Sequence, residues 1–244
     1  MPPPLPGPSD QDGTLRGVRF LRVLLTPGTD VLNGLDRCLT RGFRSLLLVF
    51  AGTLAGWWVY VPVHEMLHAA GCAVTGGKVS RLEISAVYGG GLLARIFPFV
   101  VSGSDYAGRL SGFDTRGSDL IYLATDLAPF VLTIPGVWLL RRAAAARRAL
   151  LFGAALPFAL APFLSLTGDA YEIGSILVTH LPPWHGSDLL RGDDLFKKAE
   201  QLARTPGAPW TGFGLSTAVG ALWAFLTWAA AAALVRRPAG VEDH

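Results

Sequence analysis

Four long apolar runs, each bounded by arginines or by a change to polar sequence, constrain this chain more than any other feature. They cover about 45–75, 120–140, 149–179 and 210–235. About 20 apolar residues cross the hydrocarbon core as a helix, and within lipid the backbone must satisfy its own hydrogen bonds. The expected fold class is therefore all-α integral membrane, with about four transmembrane helices and a small strand-like loop between the first and second. Composition agrees: 51% of residues are hydrophobic and only 16% charged, against about 25% charged in ordinary soluble domains. The basic residues gather at the ends of apolar runs instead of forming a continuous face. That favours the lipid bilayer as partner over nucleic acid.

The organisation follows from these runs. Residues 1–17 are expected to be a disordered Pro-rich tail, and 18–44 an interfacial or cytoplasmic segment containing VRFLRVLL. Residues 45–235 form the membrane domain, and 236–244 a second tail. KVSRLEISAVYGGGLLARI alternates like strands around a Gly-rich turn. Pro157 and Pro162 are expected to kink the third run. Arginines precede the first run (Arg16, Arg19, Arg22, Arg37, Arg41, Arg44), separate the second from the third (Arg141, Arg142, Arg147, Arg148) and follow the fourth (Arg236, Arg237). By the positive-inside rule both termini are cytoplasmic and 76–118 and 181–209 face outward, in a bacterial-type inner or plasma membrane. Cys38 and Cys72 are too few and too far apart for a disulfide framework.

Within the first run lies HEMLH, residues 64–68. Positions i and i+4 share a helix face, so His64 and His68 can offer nitrogens to one Zn2+ ion. Glu65 is then placed as the catalytic general base on a zinc-bound water. Ionisable groups inside a membrane helix are costly and default to a functional reading. Buried, hydrogen-bonded histidines or a noncatalytic metal or haem site are the bland alternatives.

A hydrolytic zinc takes three protein ligands and one open position. Asp169, in LTGDAYEIGS, is the strongest candidate. His64 lies 19 residues after Ser45 and Asp169 20 residues after Ala149, so each sits about 30 Å along its own helix. Glu172, one turn on, is the rival ligand, and support for a ligand is its other role. Asp126, in YLATDLAPF, either orients a zinc-bound histidine from the second shell or packs between helices. Cys72, four residues after His68, either faces the metal or packs as a small residue.

HEMLHAAGCAVTGGKVSRLEI, with the later aspartate in TGDAYE, resembles the site-2-protease family of intramembrane zinc metalloproteases; the chain reads as a divergent member. The resemblance covers about a third of the chain and implies a zinc metalloendopeptidase of HExxH type. Two histidines and the later aspartate would bind zinc, the glutamate would act as base, and the substrate would be a membrane-embedded or juxtamembrane protein or peptide. Ala170 follows Asp169 where the family usually has glycine. The resemblance also gives VSRLEISAVYGGGLLARI a role: an unpaired edge there would take an extended substrate as an added strand, the alternative being a hairpin that only packs over the bundle. Two other functions fit the same residues. One is a catalytically inactive scaffold, a pseudoprotease that binds membrane partners. The other is a metal-ion transporter, for which the apolar runs offer few polar groups besides Asp126, Asp169 and Glu172.

Overall fold

A helix over 25–38 (α1) opens the computed structural model, which describes residues 25–235. The expected tails at 1–17 and 236–244, and nearly all of VRFLRVLL, lie outside the described residues. A 3-10 turn at Leu39–Arg41 and Gly42, at φ 60°, redirects the chain into α2, Phe43–Val74. Only Pro62 interrupts this 32-residue helix. At 1.5 Å per residue α2 is about 48 Å long, more than the hydrocarbon core requires.

The polar segment that follows is not the expected hairpin. β1 (Lys78–Ile84) leads to a 3-10 turn at Ala86–Tyr88 and then to α3 (Gly90–Ile96), β2 (Val100–Ser102) and β3 (Gly108–Asp114). Gly89, at φ 81°, starts a helix in place of a return strand, and LLARI that follows is a good helix-forming run. The strand order is β2-β1-β3. β1 pairs parallel with β2 through Leu82 and Val100, and antiparallel with β3 from Lys78–Asp114 to Ile84–Gly108. The strand expected to offer a free edge is therefore central, and β3 carries the free edge beside the bundle. Leu82, Ile84 and Val100 seat the sheet on Ala69 and Met66 of α2.

Ser118 caps α4 (Asp119–Leu127), its hydroxyl accepting from the Ile121 N–H. A 3-10 stretch at Ala128–Leu132 carries α4 into α5 (Thr133–Ala145). The third apolar run is broken where one helix over 149–179 was expected. It forms α6 (Ala149–Ala159), α7 (Ala161–Leu164) and, after a turn, α8 (Asp169–Val178). Pro162 cannot donate to the ladder, and the Gly168 backbone leaves helical geometry just before α8. α9 (Leu195–Ala203) is capped by Asp194, and α10 (Trp210–Leu234) ends the described chain. The molecule is thus mostly helical. Three helices, Phe43–Val74, Asp119–Ala145 and Trp210–Leu234, are long and apolar enough to cross a membrane.

Small residues let these helices touch backbone to backbone. A Cβ on Gly52 or Gly56 of α2 would overlap the carbonyls of Leu150 or Ala154 in α6. A Cβ on Gly174 or Gly220 would do the same between α8 and α10, against Ser216 and Ala170. This is how helices associate where lipid removes the hydrophobic drive between them. It clamps α8 against α10 and fixes where Asp169 sits.

Candidate metal centre

Helical spacing aligns Tyr60, His64 and His68 of α2 on one buried face, where both histidines are 7% exposed. Their Nε2 atoms lie 3.1 Å apart. Asp169, the first residue of α8, brings Oδ2 to 3.2 Å from His64 Nε2 and Oδ1 to 3.5 Å from His68 Nε2. Among the described residues, these three are the group of His, Cys, Asp and Glu side chains placed to share a metal ion.

The outer nitrogens explain why the inner ones face each other. His68 Nδ1 lies 2.9 Å from the Thr125 carbonyl oxygen of α4. A carbonyl only accepts, so Nδ1 carries the hydrogen and Nε2 of the neutral ring presents its lone pair. His64 Nδ1 lies 2.9 Å from the Tyr60 hydroxyl, which can accept in the same way. Such outer contacts orient metal-binding imidazoles. Asp169 Oδ2, although beside His64, has no hydrogen-bond partner. Two lone pairs and a carboxylate gathered in a buried space repel one another unless a cation or protons lie between them.

The spacing fits a metal. Zinc–ligand bonds of about 2.0–2.1 Å in a tetrahedron place ligand atoms about 3.3 Å apart. The separations here are 3.1, 3.2 and 3.5 Å, and two imidazoles with one carboxylate are a donor set zinc accepts.

Glu65 is half-buried and points away from its histidine neighbours toward β3. A Cβ on Gly108 would overlap the Glu65 side chain, so a residue without one is what lets the strand lie over the glutamate. Together with His68 and Asp169, Glu65 lines an open cleft of ≈ 430 Å³. Residues Gly108–Ser111 of β3 form one wall, α4 another, and 192–194 with Lys197 complete the lining. Lys197 donates to the Tyr106 hydroxyl at 2.6 Å, which pushes its pKa up.

The other candidates fall elsewhere. Glu172 lines the cleft but accepts a hydrogen bond from the Tyr122 hydroxyl and lies outside the three-residue group. Asp126 is buried on the same wall. The contact to His68 is made by its neighbour's backbone, at Thr125. Cys72 is buried against the Lys78 carbonyl, away from the cluster. Tyr60 was open to discovery from the sequence, since it repeats the i, i+4 interval of the histidines. The Thr125 carbonyl and Gly108 carry no such signal.

No family model matches the chain, and comparison with curated proteins and with solved structures found no match.

Proposed function

We propose that this chain is an integral membrane zinc metalloendopeptidase, akin to the site-2-protease family, that hydrolyses peptide bonds of membrane-embedded or juxtamembrane substrates. The observation that carries this reading is the convergence of His64, His68 and Asp169 at tetrahedral-ligand spacing beside a glutamate in an open cleft. Bound there, Zn2+ would supply Lewis acidity for a substrate carbonyl and for water. The chain's own groups do the rest. Tyr60 and the Thr125 carbonyl hold the two rings in orientation. Glu65 takes a proton from the attacking water and returns it to the amide nitrogen as the C–N bond breaks. The free edge of β3 runs along the cleft, so an extended segment added as a strand would present its amides beside Glu65. A helical substrate must unwind to do so, because a helix shields its own amides.

The test is zinc content and cleavage of a model transmembrane peptide by detergent-purified wild type, Glu65→Gln and Asp169→Ala. Glu65→Gln should retain about one zinc per chain and lose cleavage; Asp169→Ala should lose most of its zinc. Undiminished cleavage by Glu65→Gln sinks the mechanism, and undiminished zinc in Asp169→Ala moves the third ligand elsewhere.

A further inference from the structure

The cleft holds more carboxyl groups than a metal centre needs. Its basic lining residues are both engaged. Arg109 lies 3.5 Å from Asp193, and Lys197 lies 3.5 Å from Asp194 and bonds Tyr106. Glu65 and Asp169 belong to the centre already described. Asp126 and Glu172 remain, facing the same space. Asp126 is 3% exposed and its Oδ2 has no hydrogen-bond partner, an arrangement that costs free energy unless something positive or a donor arrives. Glu172, 6% exposed, is held by the Tyr122 hydroxyl. The Tyr122 ring in turn packs edge-on against Phe113 of β3, with centroids 5.4 Å apart. Two buried carboxylates beside an aromatic wall are a setting for an alkylammonium or guanidinium group, which combines charge-assisted hydrogen bonds with attraction to ring faces.

We infer that Asp126 and Glu172 form a subsite that binds a cationic group of the peptide laid along β3 and so selects substrates with a lysine or arginine near the cut. This rests on the peptidase reading. The subsite is one residue from Thr125, whose carbonyl holds His68, so a side chain bound there belongs to a residue close to the reacting amide. The cation has two sources, a lysine or arginine side chain or a free amino terminus.

The probe is a Leu/Ala peptide of about 20 residues with one central-to-juxtamembrane position varied among lysine, arginine, norleucine and glutamate, each with a free and an acetylated amino terminus. Binding and cleavage are measured with the full chain in detergent. Acetylated lysine and arginine peptides should bind wild type about tenfold or more tighter than the norleucine peptide. Asp126→Asn should bring the ratio of kcat/KM for lysine over norleucine peptides toward one, chiefly through KM, and Asp126→Glu should restore part of it. Unchanged melting of the isosteric Asp126→Asn variant separates this from misfolding. Equal binding of lysine and norleucine peptides overturns the subsite, as does a second zinc per chain that Asp126→Asn removes. Preference only for unacetylated peptides assigns the site to the α-ammonium and overturns the side-chain assignment. Absence of cleavage of every peptide by wild type overturns the peptidase reading, while the binding arm still decides the subsite.

Discussion

At residue scale the centre depends on hydrogen bonds made behind the ligands. A carbonyl that only accepts fixes the His68 proton on Nδ1, whereas the Tyr60 hydroxyl can either donate to His64 or accept from it. In the metal-bound arrangement it must accept. Tyr60→Phe keeps the ring packing against Phe158 and removes that acceptor. Its expected effect is a zinc affinity lower by about tenfold, read by chelator competition, with the fold unchanged by circular dichroism. Unchanged affinity would show that ring packing alone orients His64. The spacing of HEMLH made the alignment of His64 and His68 legible in the sequence, because helix periodicity alone places them together. Gly108 was not legible, since it meets Glu65 only through the sheet's return path. The group behind His68 was not legible either: the sequence leaves Asp126 open between orienting a histidine and packing between helices, and the backbone carbonyl of Thr125 that meets His68 carries no sequence signal.

At the scale of elements, the position of Asp169 is set by how closely α8 approaches α10. Gly220 lies directly against the Ala170 carbonyl, next to Asp169. Gly220→Ala forces backbone apart from backbone and should destabilise the protein by about 1–3 kcal/mol. Zinc content should fall with it, because the displaced helix carries the carboxylate. Gly214→Ala on the same helix meets nothing within 4 Å and should be neutral or slightly stabilising, since alanine costs less than glycine in a helix. Equal melting temperatures for the two variants would contradict the close approach. The length of the apolar runs was enough to read α2 and α10 as helices. It failed for 149–179, where hydropathy stays high across the breaks at Leu160 and 165–168. It failed too for SAVYGGGLLARI, whose glycines fit a turn between strands as well as the start of a helix. Arbitration came from pairing: β1 finds its antiparallel partner in β3, a non-local choice that no local pattern specifies.

For the whole molecule, we propose a number of crossings from the segments that touch. The segments 76–118 and 181–209 meet over the cleft: Arg109 pairs with Asp193 and Lys197 bonds Tyr106, while Arg191 makes two hydrogen bonds to Asp119 at the start of α4. Segments in contact outside the lipid lie on one side of it. If Asp119–Ala145 crosses, the chain must return across 149–178 before reaching 181. The broken α6–α8 would then be a crossing that lines a polar cleft, the setting in which interrupted helices are tolerated. With α2 and α10 this makes the proposed number four, with both termini on one side, the cytoplasmic side by the arginine distribution. Ser9→Cys and Glu242→Cys should each resist a membrane-impermeant maleimide in intact cells and react after permeabilisation. Asp105→Cys, at an exposed position beside the cleft, should react in intact cells. Cys38 and Cys72 are both buried and free, so the wild-type background should be low. Labelling of one terminus but not the other in intact cells would mean an odd number of crossings. It would overturn the proposed four crossings while leaving unchanged the spacing of His64, His68 and Asp169, which the packing of α2 and α8 sets.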